Sequence, residues 1–295
     1  MARLREGSAS ATRRSRIPAT FSVLIALAVG CASALPNAPA PIMIDRDLAY
    51  VQRGDRSLGA DVYTPAGRGP FPAVLLVHGG SWKRGNKQRM AKIAERLAQR
   101  GYVAVSIDYR LAPEDRFPAQ LYDCQAAVRW MRTNAERLRL DPARIAGFGY
   151  SAGAHLVALL ATANGADGLG ENLATPAPDT RLQAAVLGAA PVDVAGFPTN
   201  AVFESVLGAS VAERPDLYAL ASPLTFVTPD DPPTFLYHGA DDWMVDASQS
   251  HRMLDALLRA HVPTTYLEVP GGHLATFWFD EEPVRRAIDF LDRWL

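Results

Sequence analysis

A serine flanked by two glycines is the residue of this chain whose surroundings best suit chemistry. Gly149, Ser151 and Gly153 form the pattern Gly-x-Ser-x-Gly, which follows a short apolar segment and precedes an apolar helical pattern. A serine hydroxyl attacks well only when it stands clear of the backbone, beside a base and facing amide donors. A sharp strand-to-helix turn presents it in this way, and glycines let the two elements pack closely. The pattern therefore predicts a nucleophilic Ser151.

A second glycine-rich segment follows the continuous apolar run of residues 73–77. Its sequence is His-Gly-Gly-Ser-Trp at residues 78–82. A glycine pair after a buried strand lets backbone N–H groups approach a ligand closely, which predicts an oxyanion hole. His78 is interpreted as a brace for this loop and not as a base. The predicted oxyanion donors are the N–H groups of Gly80, Ser81 and Ala152, with Gly79 as a further candidate.

Strands and helices alternate along the chain around these two segments. Continuous apolar runs predict strands buried on both faces, and helical periodicity predicts the connecting helices. This alternation implies right-handed crossovers in a mostly parallel sheet, with ligands at the carboxyl ends of the strands. The predicted strands are 47–51, 58–63, 73–77, 102–107, 144–148, 182–187, 234–238 and 264–269. The predicted helices are 86–99, 118–137, 151–162, 248–260 and 281–294.

Three segments, in this order along the chain, resemble the α/β-hydrolase superfamily. They are the loop at 78–82, the Asp-Tyr-Arg-Leu-Ala-Pro-Glu segment at 108–114 and the nucleophile elbow at 149–153. Within the superfamily the chain is similar to esterases related to hormone-sensitive lipase and to acetyl- and feruloyl-type carbohydrate esterases. Relatives of hormone-sensitive lipase usually carry a third glycine where this chain has Ser81. The likeness therefore shifts toward the His-Gly-Gly-x-Trp branch, which includes carbohydrate esterases and arylformamidases.

The resemblance covers residues 45–295 and implies an α/β-hydrolase fold. Its expected features are a mostly parallel central sheet, flanking helices and a short cap region between Pro191 and Pro232. It also implies a serine carboxylesterase that works through a Ser-Asp-His triad and an acyl-enzyme, on short acyl (acetyl-type) esters of small molecules or carbohydrates. Amide hydrolases of the arylformamidase or peptidase type are the alternatives with the same mechanism. A catalytically inactive binding protein of the cell envelope is the alternative from another class.

The catalytic base is expected to follow the acid in the chain order of this fold. His273 lies in a glycine-containing loop after the last predicted strand, and a base on such a loop can reach the elbow. His78 precedes the serine. The remaining histidines are interpreted as packing, supporting or solvated residues, namely His155 on the elbow helix, His238 at a strand end beside the acid loop, and His251 and His261 on a helix and its exit.

The acid is expected in the loop that follows the strand at 234–238, where Asp241, Asp242 and Asp246 are the candidates. In the family that the chain resembles, a valine stands three residues after the acid. This spacing indicates Asp242, because Val245 matches. The other two are then turn-forming or helix-capping carboxylates. The acid has only to fix the tautomer of the base and stabilise its positive form.

Aromatic side chains near these segments are candidates for the walls of a substrate pocket. Trp82 and Trp243 are the predicted substrate contacts, and Phe197 and Phe203 are further candidates. All four side chains could equally belong to the core.

Composition narrows the classes of partner. The chain has 295 residues and a net charge of −1, with no basic patch that would indicate nucleic acid binding. No spacing of His, Asp or Glu resembles a zinc site, and no glycine-rich loop precedes Lys-Ser or Lys-Thr. We therefore predict neither a metal nor a cofactor. Cys31 and Cys124 provide no disulfide framework, because Cys31 lies in the leader region.

The first 34 residues have the features of a secretory signal peptide. Basic residues precede a short apolar stretch at 21–29, and small residues follow it. Ala-Ser-Ala at 32–34 fits a signal-peptidase site, whereas residues 27–31 resemble a lipobox in which Cys31 is lipidated; an uncleaved anchor is a third alternative. The leader predicts a periplasmic, secreted or lipid-anchored protein whose only membrane contact is the leader or the lipid. The predicted segments are the signal peptide at 1–34, a proline-rich linker at 35–44 and the catalytic domain at 45–295.

Overall fold

Eight strands of the described residues form one sheet that carries the segments discussed above. The computed structural model describes residues 40–165, 168–171, 178–197, 201–278 and 281–295, within one compact unit that spans Pro39–Leu295. The strands are β1 (Ile42–Arg53), β2 (Arg56–Pro65), β3 (Phe71–Val77), β4 (Val103–Ile107), β5 (Leu140–Tyr150), β6 (Ala184–Gly188), β7 (Thr234–Gly239) and β8 (Thr264–Val269). The predicted signal peptide lies outside the described residues.

The strand order in the sheet is β1-β2-β4-β3-β5-β6-β7-β8. β1 pairs antiparallel with β2, and β2 with β4, whereas the six strands from β4 to β8 in this order pair in parallel. The predicted mostly parallel sheet is therefore confirmed. Parallel strands are joined by crossovers that cover both faces of the sheet, so their side chains are buried on both sides. All residues of β4, β6 and β7 are buried accordingly.

Helices cover both faces of the sheet. They are α1 (Ala91–Arg100), α2 (Ala119–Thr133), α3 (Ala135–Leu138), α4 (Ala152–Thr162), α5 (Ala201–Leu207), α6 (Pro215–Leu220), α7 (Ser248–Arg259), α8 (His273–Trp278) and α9 (Glu282–Trp294). Side chains of a strand point alternately to its two faces. Leu75 and Val77 of β3 therefore join the core beneath α2, α4 and α7, whereas Val74 and Leu76 join the core beneath α1 and α9.

Several boundaries differ from the sequence-based prediction, and three of these differences have a clear physical cause. β1 begins at Ile42, inside the stretch predicted as linker, because it pairs with β2 at the sheet edge; most of its side chains are exposed and give little apolar pattern. The single helix predicted at 118–137 is divided at Asn134, whose side-chain amide donates to the carbonyl of Trp130. The helix predicted at 86–99 begins as a 3₁₀ turn at Lys87–Met90 before α1.

A short cap region lies between β6 and β7, as predicted. It contains α5, α6 and a 3₁₀ turn at Pro223–Phe226. Phe203 and Val206 of α5 and Tyr218 of α6 are buried in the same core as α4. The cap therefore packs directly over the elbow helix. Among the described residues, no helix is both long and apolar enough to cross a bilayer.

Candidate active site

Ser151 lies at a strained turn between β5 and α4. Its backbone angles, a φ of 56° and a ψ of −125°, are rarely adopted by residues other than glycine. Such backbone strain persists only where the surrounding structure enforces it. Here its N–H donates to the carbonyl of Gly188 at 2.7 Å. A Cβ on Gly153 would lie 2.0 Å from the oxygen of Val77, and one on Gly149 would lie 2.3 Å from the oxygen of Gly153. The turn therefore requires both glycines of the motif.

His273 connects the serine to a carboxylate through its two ring nitrogens. Nε2 lies 2.9 Å from Oγ of Ser151, and Nδ1 lies 2.6 Å from Oδ2 of Asp242. A carboxylate only accepts hydrogen bonds, so Nδ1 carries the proton and Nε2 is free to accept from the hydroxyl. His273 is the first residue of the short helix α8, and not part of an open loop, and its carbonyl accepts from the hydroxyl of Tyr150.

Asp242 is the only one of the three predicted acid candidates that contacts His273 in the described residues. Its other oxygen, Oδ1, accepts the N–H groups of Met244 at 3.0 Å and Val245 at 2.9 Å. Burial raises the pKa of this carboxyl, but hydrogen bonds from His238 and His273 and from the N–H of Val245 outweigh burial and hold the pKa below its usual range. The carboxylate is therefore ionised at neutral pH.

The two neighbouring carboxylates have other positions. The side chain of Asp241 is exposed, and its N–H donates to the carbonyl of Gly271 at 3.0 Å. Asp246 accepts the N–H of Ser248 at 2.9 Å, where α7 begins. These contacts are those of a turn residue and of a helix cap.

His238 supports the loop that carries Asp242. Its Nε2 lies 2.8 Å from the carbonyl of Val245 and 3.3 Å from Oδ2 of Asp242, and its Nδ1 lies 2.7 Å from Oγ of Ser250. The carbonyl and the carboxylate both accept, so Nε2 carries a proton directed at them. His238 is fully buried, so it holds the acid loop against α7.

The glycine-rich loop after β3 lies directly beside the serine. A Cβ on Gly79 would lie 3.1 Å from Cβ of Ser151. Gly80 has a φ of 135°, and a Cβ at this position would collide with the carbonyl oxygen of Arg84. The loop turns back on itself, because the N–H groups of Lys83 and Arg84 both donate to the carbonyl of Gly80.

Three backbone N–H groups beside Ser151 are available as hydrogen-bond donors, those of Gly80, Ser81 and Ala152. In the described residues, no hydrogen bond is donated by the N–H of Gly80 or of Ser81. The N–H of Ala152 belongs to the first turn of α4, where amides have no acceptor within the helix. The glycine-rich loop and the first turn of α4 therefore both lie next to Ser151.

Trp82 joins this loop to the elbow helix and to the cap. Its indole N–H donates to Nδ1 of His155 at 3.2 Å, and Nε2 of His155 lies 2.7 Å from the carbonyl of Ala221. The side chain of Trp82 is only 4% exposed, and its ring lies 5.2 Å from that of Phe203. Trp82 is therefore both a buried core residue and a wall of the site.

Trp243, predicted as a substrate contact, lies mostly in solvent. Its side chain is 84% exposed, and it does not line either cavity described below. The backbone amides that follow Asp242 fold back onto its carboxylate, which leaves the intervening Trp243 side chain in solvent. Met244, one residue further, lines both cavities instead.

Two cavities that the described residues form open at Ser151. Both are lined by Ser81, Ser151, Met244 and His273. The first, of about 100 Å³, is mainly apolar; its further lining residues are Trp82, Pro191, Phe197, Val202, Phe203 and Val245. The second, of about 70 Å³, is more polar; its further lining residues are Gly79, Gly80, Arg84, Arg89, Tyr150 and Leu274. Among the described residues, no three His, Cys, Asp or Glu side chains form a cluster that could hold a metal ion.

Acidification from pH 6.5 to pH 4 is expected to destabilise the fold. Burial lowers the pKa of His155 and of His78 from 6.5 to about 4, so in this range the unfolded chain binds two protons that the folded chain does not. Burial raises the pKa of Asp231 from 3.8 to about 6, which works in the opposite direction. The unfolded chain therefore binds one more proton than the folded chain in this range. Each pH unit of acidification then lowers the free energy of unfolding by about 1.4 kcal/mol.

Urea unfolding across this pH range tests the expectation. Replacing His155 with glutamine is expected to flatten the slope, because the new side chain does not titrate, whereas the same change at the exposed His261 is the matched control. A native protein whose free energy of unfolding stays constant from pH 6.5 to pH 4 would contradict this account.

The sheet order and the serine at the elbow define an α/β-hydrolase. The sequence profile of the BD-FAE family matches residues 60–257, and the chain belongs to this family. It is 34% identical over 217 residues to the esterase LipC of Mycobacterium tuberculosis, which covers 69% of this chain and 53% of LipC. It is 31% identical over 260 residues to the esterase LipQ of the same organism, which covers 82% of this chain and 60% of LipQ. The chain thus spans between half and two thirds of the length of these curated relatives.

A solved structure supports the same assignment. The truncated form of a carbohydrate esterase from gut microbiota superimposes with a TM-score of 0.76 at 27% identity, over 87% of this chain and 97% of that one. Esterase 2 of Thermogutta terrifontis superimposes with a TM-score of 0.71 at 22% identity, over 86% of this chain and 94% of that one, and shows the shared fold. The predicted α/β-hydrolase resemblance and fold are therefore confirmed.

Proposed function

We propose that this protein is a serine carboxylesterase in which Ser151 is the nucleophile, His273 the base and Asp242 the acid. The single observation that carries the proposal is the unbroken hydrogen-bonded series from Oγ of Ser151 through His273 to Asp242. Relatives named as esterases support the reaction class. The three side chains come from three segments that follow different strands, and they meet at the carboxyl edge of the sheet, where ligands of such folds bind.

In the proposed reaction Oγ of Ser151 attacks the ester carbonyl while Nε2 of His273 accepts the hydroxyl proton. The C–O bond to the alcohol then breaks, and the proton on Nε2 passes to the departing alcohol. Water attacks the acyl-enzyme by the same route, which releases the acid and restores the serine. The ionised Asp242 holds the proton of His273 on Nδ1 and stabilises the imidazolium that forms.

The negative oxygen of each tetrahedral intermediate is assigned to the N–H groups of Gly80, Ser81 and Ala152, with Gly79 placing the loop against the serine. A donor that is fixed in advance stabilises the developing charge without reorganisation, and each one is worth about 10²- to 10³-fold in turnover. The free amides of the loop and the amide at the start of α4 support this role.

The apolar cavity is assigned to the acyl group. Its volume is about 100 Å³, which is smaller than an engineered apolar cavity of about 150 Å³ that binds benzene. The wall formed by Trp82 and Phe203 is fixed by the hydrogen bond of Trp82 to His155. A short acyl chain therefore fits, and the carbohydrate esterase among the structural relatives makes an acylated carbohydrate the favoured substrate class.

Hydrolysis of p-nitrophenyl acetate, butyrate and octanoate tests the proposal. We expect kcat/KM to fall by about tenfold or more from butyrate to octanoate, because an acyl chain four methylenes longer than the cavity accepts displaces the ester carbonyl from Ser151, and a misplacement of about 1 Å can cost about 100-fold in rate. A variant with a larger cavity, Phe203→Ala, is expected to narrow this difference. Turnover of formanilides or peptides without turnover of any ester would instead establish the amide-hydrolase alternative.

Export of the protein is a further part of the proposal. The basic, apolar and small-residue segments of residues 1–34 support a cleaved signal peptide, and Cys31 supports lipid attachment as the alternative. Mass spectrometry of the mature N-terminus distinguishes them, because the lipidated form would begin at Cys31. An inactive envelope protein is disfavoured by the aligned side chains of Ser151, His273 and Asp242.

A further inference from the structure

Two guanidinium groups stand without a carboxylate partner in the more polar of the two cavities at Ser151. Arg84 and Arg89 both line this cavity, and both side chains are exposed. Within the described residues, neither forms an ion pair or a side-chain hydrogen bond. Arg110, at the same edge of the sheet, by contrast binds Asp123 through two of its nitrogens.

The main chain holds both arginines in place. The N–H of Arg84 donates to the carbonyl of Gly80, so Arg84 is part of the same turn as the oxyanion loop. Arg89 lies in the 3₁₀ turn Lys87–Met90. That turn is fixed because Nζ of Lys87 lies 2.7 Å from a carboxylate oxygen of Asp108, whose other oxygen accepts the N–H of Lys87 at 2.9 Å.

The charge of Arg89 acts on the buried His78, the first residue of the glycine-rich loop. It lowers the pKa of His78, although burial is the larger cause of that shift. Two positive charges beside a nucleophile create a local potential that attracts anions and disfavours cations. Guanidinium groups are also well suited to bind carboxylates, since their planar N–H groups match the two oxygens.

The two cavities share only the serine, its base and two neighbouring side chains, so they can receive the two halves of an ester. The apolar cavity is the one assigned to the acyl group. The alcohol half must then leave through the cavity that Arg84 and Arg89 line. We propose that these two arginines bind a carboxylate carried by the alcohol part of the substrate, of which an acidic sugar is one form. This inference rests on the proposed esterase function.

Matched esters separate this proposal from general esterase activity. The first pair is para-acetoxybenzoate and its neutral analogue para-acetoxybenzamide, which differ only in the charge of the alcohol part. Monophenyl succinate, compared with phenyl butyrate, places the carboxylate on the acyl part instead. We expect the native protein to prefer the anionic member of the first pair in kcat/KM by about three- to tenfold, the range of one or two partly exposed ion pairs.

The double variant Arg84→Gln/Arg89→Gln is expected to lose this preference, so that the ratio between the two acetates falls to about one. Arg68→Gln is the matched control, because Arg68 is another exposed arginine but precedes the amino end of β3, at the opposite edge of the sheet. Added salt is expected to reduce the preference of the native protein, since exposed charges are screened. An unchanged ratio in the double variant, or a preference for monophenyl succinate over phenyl butyrate that the double variant loses, would overturn the proposal.

A binding measurement makes the inference independent of turnover. The alcohol product para-hydroxybenzoate is titrated into Ser151→Ala protein with and without the two arginine changes, with para-hydroxybenzamide as the neutral reference. Weaker binding of the anion alone in the triple variant supports the site even if no ester is hydrolysed. Equal binding of the anion by both proteins contradicts it, while hydrolysis of the neutral acetate by the native protein decides the esterase function separately.

Discussion

Ser151→Ala is expected to lower kcat for p-nitrophenyl acetate by about 10⁶-fold, the scale seen when the nucleophile of another serine hydrolase is removed. The loss is large because the hydroxyl forms the acyl-enzyme, and nothing else at the site can replace it. The remaining hydrolysis would come from water activated by His273 and from the backbone donors of the oxyanion loop. Stopped-flow and overnight assays with the purified protein cover the required range of rates.

The alanine variant is expected to remain folded. Ser151 makes its structural contact through its backbone N–H to Gly188, and alanine retains that group. The far-UV circular dichroism and the thermal midpoint should therefore match those of the native protein. The matched control is Ser57→Ala, an exposed serine of β2, which should leave kcat unchanged. A folded Ser151→Ala protein with kcat within about tenfold of the native value would show that another group is the nucleophile.

Asp242→Asn is expected to lower kcat by about 10⁴-fold, as the equivalent change does in a well-studied triad. Oδ1 of Asp242 accepts two backbone N–H groups, so an asparagine would keep its carbonyl there and direct its NH₂ at His273. An NH₂ group donates, so it faces the proton on Nδ1 unfavourably and favours the tautomer with the proton on Nε2. In that tautomer His273 can no longer accept the proton of Ser151.

The neighbouring carboxylate provides the control for this prediction. Asp241→Asn changes the same charge one residue away, but the side chain is exposed and does not contact His273. It should leave kcat within about twofold of the native value, since surface changes of this kind are small. Equal losses in the two variants would mean that the charge of the loop matters and not the hydrogen bond to the base.

The parts of the site that could be predicted from sequence are those fixed by the backbone. Close contacts of main-chain atoms require the glycines at 149 and 153, so their spacing alone is enough to predict the elbow. The continuous apolar runs of β3 to β7 predict buried parallel strands for the same local reason. The role of His273 could be predicted from its position after the last strand, although no local pattern indicates that it begins a helix.

The remaining features depend on contacts between distant segments. The hydrogen bonds from Trp82 to His155, and from His155 to the cap, join three parts of the chain that no local pattern connects. The exposure of Trp243 could not be predicted, because an aromatic residue beside the acid looks the same in sequence whether it faces the pocket or solvent. The two unpaired arginines at the cavity could be recognised only when the absence of nearby carboxylates in the described residues was known.

Covalent labelling with a fluorophosphonate at neutral pH tests the central claim most directly. Such a reagent reports an activated serine by forming a phosphonyl–oxygen bond as fluoride departs, and peptide mass mapping then locates the adduct. We predict one adduct on Oγ of Ser151, no labelling of the Ser151→Ala protein, and much slower labelling of Asp242→Asn. A native protein that stays unlabelled, or an adduct that persists in Ser151→Ala, would contradict the assignment of Ser151 as the nucleophile.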